Sequence, residues 1–117
     1  MLLNFSISAQ TERDIPIALK VGNAKEIAKF FAPNVNLKIL DNEDIYSKTQ
    51  AELILKDFLG KNLVKSYTQK HNGISKNGAE YYIGELKTMN GNFRVYYFFK
   101  KNGSDIVLQE FRIENEE

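Results

Sequence analysis

No cysteine occurs among the 117 residues, which removes disulfides and thiolate chemistry together. A single histidine beside that absence leaves a transition-metal site without its usual ligands, and neither metal nor cofactor is expected. No stretch approaches the ~20 apolar residues of a membrane span. Charge of one sign is missing too: 16 basic residues against 15 acidic ones give +1, and like charges stay in short blocks except in the closing "ENEE". Nucleic acid is therefore not an expected partner. No glycine-rich loop precedes a helix and no serine sits in a nucleophile setting, so the chain carries no reaction signature.

What is present fits one domain with a real core: 43% of the residues are hydrophobic and 26% charged. The opening "MLLNFSISAQTE" is apolar, then small and polar, like the tail of a secretory signal cleaved after Ala9. It lacks a basic start, so export (periplasmic or extracellular) requires a start upstream of Met1; the alternative is a frayed cytoplasmic terminus. Residues 1–9 are read as this signal remnant and 10–117 as the domain.

From Arg13 to Phe31 the periodicity is helical, broken at Gly22-Asn23, where Asn23 and Glu26 form a capping box. Pro33 ends that helix. "VNLKIL" (35–40) alternates like a half-buried strand, and "DNED" reads as a turn. Ser47 and Gln50 form a second capping box, opening a helix over Lys48–Leu59 that Gly60 stops. Four strands follow, at 66–74, 79–89, 92–101 and 104–114, joined by "SKNG" and two Asn-Gly pairs, which are strong hairpin signals. Helices first and a strand meander last predict an α+β fold: a curved antiparallel sheet of that meander plus an N-terminal strand, wrapped on N-terminal helices.

Closing the turns at Asn90-Gly91 and Asn102-Gly103 fixes the register and hence the faces. One face carries Tyr67, Gln69, His71, Tyr82, Gly84, Leu86, Phe93, Val95, Tyr97, Phe99, Ile106, Leu108, Glu110 and Arg112. It is mostly apolar and is assigned to the inside, under the helices. Its polar members suggest a pocket with a few anchors for a small organic ligand or peptide: Tyr67, Gln69, His71, Tyr82, Tyr97, Glu110 and Arg112. The structural alternatives stand beside it: a solvent-facing His71, a Glu110–Arg112 salt bridge and tyrosines that are simply core. A His71–Glu110 acid/base pair fails on distance, since three strand spacings of ~4.8 Å and an offset along the strands separate them. The opposite face carries Tyr81, Ile83, Glu85, Arg94, Tyr96, Phe98, Val107, Gln109 and Phe111, too apolar to be left in water. A second copy of the chain across a two-fold axis is the expected cover.

The order of these elements, with "YSKTQAELILKDFLGKN", "NGISKNGAEYYIGELKTMNGNFRVYYFFKK" and "LQEFRIE", resembles the nuclear-transport-factor-2-like (cystatin-like) superfamily and, within it, a small family of exported bacterial domains of unknown function. The resemblance implies a cone-shaped α+β domain with a pocket between sheet and helices, often dimerising through the outer sheet face. Superfamily isomerases use a pocket Asp base with Tyr/Asp donors, and this meander places no Asp on its inner face. The expectation is a non-enzymatic ligand- or peptide-binding homodimer. The alternatives are an isomerase or dehydratase using Glu110 as base, and an interaction module whose pocket is filled by its own side chains.

Overall fold

The computed structural model describes residues 14–116, so the signal-like stretch 1–9 and the helix start at Arg13 lie outside the described residues. Residues 14–20 are helical (α1) and bury Ile15, Ala18 and Leu19. Gly22, at φ 66°, turns the chain into α2 (Ala24–Ala28). Asn23 caps it by accepting the Glu26 N–H at 3.2 Å. The reciprocal half of the box is not made, because Glu26 pairs with Lys29 at 2.8 Å. Both halves of the Ser47–Gln50 box are present at the start of α3 (Lys48–Lys61). That helix runs through Gly60, whose α-carbon faces open space, and Asn62 caps it with both its backbone and side-chain nitrogens on the Phe58 carbonyl.

Among the described residues six strands form one open mixed sheet: β1 (Phe31–Ile39), β2 (Asn42–Ser47), β3 (Val64–Ile74), β4 (Glu80–Thr88), β5 (Gly91–Asn102) and β6 (Asp105–Asn115), in the order β2-β1-β6-β5-β4-β3. All neighbours are antiparallel except β1 and β6, which run parallel. The fold is the expected α+β sheet packed against helices, with two differences at its N-terminal half. Helix ends at Ala28 and Phe31 already lies in a strand, because the Phe30 carbonyl accepts the Leu108 N–H and draws the backbone into the sheet. "DNED" is more than a turn: only Leu40 and Asp41 reverse the chain, and the rest belongs to β2.

Both meander hairpins close two residues away from the expected register. Thr88 faces Gly91 and Asn102 faces Asp105, so the loops are Met89-Asn90 and Gly103-Ser104. Thr88 holds the first loop, its Oγ1 donating to the Gly91 carbonyl at 2.8 Å and accepting the Asn90 N–H at 3.1 Å. In the second, Gly103 supplies the positive φ (68°) that a two-residue loop needs at its first position. A shift of two preserves the faces.

Two of the sheet's bulges, those inside the expected strands, do not preserve them; a further shift lies at the start of β3, between Val64 and Ser66. In β6, Phe99 faces Leu108 but Phe98 faces Glu110, leaving Gln109 as the extra residue. In β3, Gln69 faces Gly84 but His71 faces Ile83, leaving Lys70 extra. Each bulge swaps the faces for the rest of its strand. Glu110, Arg112 and His71, expected inside, therefore turn outward. Phe111, expected outside, turns in together with Ile113, and both are fully buried. Strand β1 makes a matching excursion between Phe31 and Asn36, around Pro33, which has no N–H to give to a ladder.

Candidate functional site

Among the described residues the inner face carries buried aromatic rings where a cavity was expected. Tyr97, fully buried at its centre, stacks on Tyr82 at 5.2 Å between ring centres and on Phe111 at 5.9 Å. Tyr67 lies over Gly84, filling the room that glycine leaves. Burial pushes the Tyr67 phenol well above its usual pKa, with the Tyr97 hydroxyl pulling back in part. Helices cover these rings: Phe58 of α3 meets Phe93 edge-on at 5.2 Å, and Leu55 and Ile27 are fully buried beside them. The seven residues expected to line one pocket are consequently dispersed. Tyr67, Tyr82 and Tyr97 are core. Gln69 is exposed at the margin of the inner face, its Oε1 accepting the Tyr97 hydroxyl at 3.5 Å. His71 is exposed on the outer side. Glu110 and Arg112 sit on the outer face of β6 and pair with each other.

Two features occupy that outer face. Over β4 and β5, Tyr81 stacks on Tyr96 at 6.4 Å and Phe98 meets Tyr96 edge-on at 6.3 Å, with Ile83 opposite Tyr96. All four are half-buried. Of the residues expected on this face, Glu85, Val107 and Gln109 join them as half-buried neighbours, Arg94 is exposed, and Phe111 has left for the core. A hollow of about 230 Å³ opens beside the aromatics, walled by Tyr81, Tyr96 and Phe98 and rimmed by Asn77, Lys100 and Gln109.

Across β2, β1 and β6 the face is ionic. Arg112 pairs with Glu110, with Glu43 at 3.0 Å and with Glu114 at 3.7 Å, while Lys38 meets Glu114 at 3.1 Å. Burial works against the Arg112 charge, and the three carboxylates more than offset it, holding its pKa above the ordinary value. Tyr96 joins the two halves. Partial burial raises its phenol pKa first, Glu110 adds to the rise, and Arg112 opposes it. A second hollow, about 260 Å³, lies there between Arg94, Tyr96, Glu110, Arg112 and Glu114. Arg94 has no carboxylate partner among the described residues. Sequence reasoning missed Lys38 and Glu43 because β1 was read only as a strand and β2 not at all; the polar alternation Asn36, Lys38 in "VNLKIL" was the available signal. Among the described residues no group of His, Asp and Glu is arranged to hold a metal ion.

The domain-of-unknown-function model DUF4783 matches residues 12–114. The chain belongs to the DUF4783 family. A DUF4783 protein from Bacteroides ovatus is 30% identical and superposes with a TM-score of 0.83 over 90% of this chain and 94% of that one. More distant structures share the fold alone. An NTF2-type design is 16% identical, with a TM-score of 0.68 over 91% of this chain and 97% of that one. An uncharacterized cystatin fold protein from Novosphingobium aromaticivorans is 9% identical, with a TM-score of 0.61 over 89% and 94%. The fold is the expected one, that of nuclear-transport-factor-2-like and cystatin-like proteins. No curated protein matches it.

Proposed function

We propose that this chain is a non-enzymatic binding domain that works through the outer face of its sheet, pairing there with a second copy of itself. The observation that carries the reading is the half-buried cluster of Tyr81, Ile83, Tyr96 and Phe98, adjoining rather than lining the core. Aromatic side chains rimmed by polar groups are the composition of a protein interface, and a patch of this kind costs free energy while it faces water. The inner concavity, where a relative of this fold would hold a small ligand, is filled by Tyr67, Tyr82 and Tyr97. Any small ligand or peptide is therefore assigned to the hollow beside Tyr81, Tyr96 and Phe98, which a partner copy would roof. The reading of Glu110 as a catalytic base loses its support, since Arg112 neutralises it on the far side of the sheet from the buried tyrosines. Export, carried by the signal-like Ser8-Ala9-Gln10, completes the proposal.

Sedimentation equilibrium at micromolar concentration tests the pairing. A dimer is expected, and the double substitution Tyr96→Ser/Phe98→Ser should return a soluble monomer with its thermal transition retained. A wild-type chain that stays monomeric throughout sinks the proposal.

A further inference from the structure

The hollow beside the outer aromatics has walls of defined orientation. Tyr81 lies over Gly73, where a β-carbon would meet its ring, so one side of that ring rests on β3. Tyr96 is 22° from parallel with Tyr81, and Phe98 stands at 76° to Tyr96. The three rings thus form a corner, two nearly parallel and one close to perpendicular. A flat apolar ring entering it finds both geometries that aromatic pairs prefer, offset stacking and edge-to-face. The β3–β4 loop closes one side. Its Ser75 N–H donates to the Ala79 carbonyl at 2.8 Å, its Gly78 N–H to the Ser75 carbonyl at 3.0 Å, and the Ala79 N–H to Ser75 Oγ at 3.2 Å. These bonds hold Asn77 on the rim that it shares with Lys100 and Gln109.

Among the described residues that line this hollow, Lys100 alone is charged, and it has no carboxylate partner among them. The strand pairing accounts for the carboxylates nearby. Glu80 lies on the Tyr82 side of β4, where its Oε1 accepts the Tyr82 hydroxyl at 3.2 Å. Glu110, opposite Phe98, is engaged by Arg112. Asp105 lies opposite Asn102 at the end of the hairpin and lines a separate hollow with Lys29 and Lys48. Lys76 precedes Asn77 in the loop and Lys101 follows Lys100, so the field at the rim is positive. Asn77 and Gln109 add amide donors there, Gln109 already using one on the Asn34 carbonyl at 3.4 Å. At about 230 Å³ the hollow is smaller than the ~300–1,000 Å³ of sites that enclose a drug-sized molecule, and it suits one ring with a short polar arm.

We infer that this hollow binds a small aromatic carboxylate, with the ring in the corner of Tyr81, Tyr96 and Phe98 and the acid group against Lys100 and the amides of Asn77 and Gln109. The inference rests on the reading that the outer face, not the core, holds any small ligand. All the binding groups come from one chain, so a second copy roofs the site without supplying it. Neither half suffices alone: a neutral ring leaves Lys100 unmatched, and an aliphatic acid makes only an exposed ion pair, which is weak.

An NMR titration of the isotope-labelled full chain with phenylacetate, phenylacetamide and acetate tests this. Phenylacetate is expected to shift the signals of Asn77, Tyr81, Tyr96 and Lys100 with a dissociation constant on the order of 1 mM. Phenylacetamide, which has the same ring and no charge, should bind ~3–5-fold more weakly, and acetate should leave Tyr81 and Tyr96 unmoved. Lys100→Ala should remove the difference between the two aromatic probes. Tyr81→Ala should weaken both by ~5-fold or more. Gly73→Ala touches no ligand but lifts the Tyr81 ring from the strand, so it should weaken both and keep the preference for the acid. No response to phenylacetate, equal wild-type affinity for phenylacetamide, or undiminished binding by Tyr81→Ala overturns the inference. So does a response to acetate equal to that for phenylacetate, which would mean an adventitious anion contact only. Sedimentation of the same sample separates this site from the pairing: a monomer that binds phenylacetate refutes the pairing alone, and a dimer that does not bind it refutes the ligand alone.

Discussion

Two glycines of the sheet are each roofed by a tyrosine, one on either face: Tyr67 over Gly84 inside and Tyr81 over Gly73 outside. In both places a β-carbon would run into the ring, so each glycine exists to let an aromatic lie flat on the strand. The consequences of filling them differ, because the Tyr67 ring is held at 3% exposure under the helices while Tyr81 is only half-buried. Gly84→Ala is expected to destabilise the fold by ~1–3 kcal/mol from overpacking, more than the ~0.5–1 kcal/mol that alanine recovers in backbone entropy. Gly73→Ala should cost distinctly less, since Tyr81 can swing toward solvent. Urea denaturation of the two variants decides the matter. Equal losses would mean that burial of the ring is not what sets the cost. The place of Gly84 on the inner face, with Tyr67, Tyr82 and Tyr97, was legible in the sequence. What was not legible is that Tyr67, two strand positions away across the ladder, would lie over it.

At the scale of elements, helix starts and faces fixed by turn spacing were readable, and the bulges were not. Caps are local chemistry, so Ser47 with Gln50 identifies a helix start from four residues. Hairpin closure errs by two residues without harm, because parity survives. A bulge changes parity, and only the apolar pattern records it: Leu108, Phe111 and Ile113 are buried, with a gap of three where alternation would give two. The strict period placed Glu110 and Arg112 in a pocket, and so manufactured a site from two residues that form an ion pair on the other face. Deleting Gln109 should be tolerated, because Leu108-Glu110-Phe111-Arg112-Ile113 then alternates in and out without a bulge. The expected cost is on the order of 1–3 kcal/mol, from lost bend and the altered match to β1. Deleting Arg94 from the bulge-free first half of β5 should abolish folding instead, because Phe93 and Val95, both buried, become neighbours on opposite faces and the β4–β5 turn loses its parity with Val95, Tyr97 and Phe99. Near-UV circular dichroism of the two deletions distinguishes them; a native-like spectrum from the Arg94 deletion, or an unfolded Gln109 deletion, contradicts the bulge assignment.

For the whole molecule, the parallel pairing of β1 with β6 joins the first strand to the last and makes everything between them its crossover. That places β6 and β5 in the middle of the sheet and leaves β2 and β3 as edges. Strand β2 escaped sequence reasoning for the same reason that it is weakly held: among its residues four are exposed and two half-buried, so it has no apolar alternation to read and only Tyr46 packed against the core. It is held by one ladder to β1, by Tyr46, half-buried against the core, and by the clip from Glu43 to Arg112, whose side chains are 40% and 32% exposed. A pair that open to water is worth ~0.2–1 kcal/mol, too little to tie the edge to the global transition. Native-state hydrogen exchange should therefore divide the sheet. Amides of Val95, Tyr97 and Phe111 are expected to exchange only on global unfolding, while those of β2 open locally at a free energy lower by on the order of 2 kcal/mol or more. Raising salt to screen the clip should speed β2 exchange by less than ~5-fold and leave β5 unchanged. Protection in β2 equal to that in β5 would instead mean that the ionic face binds the edge into a single cooperative unit, and that Arg112 contributes far more than its exposure allows.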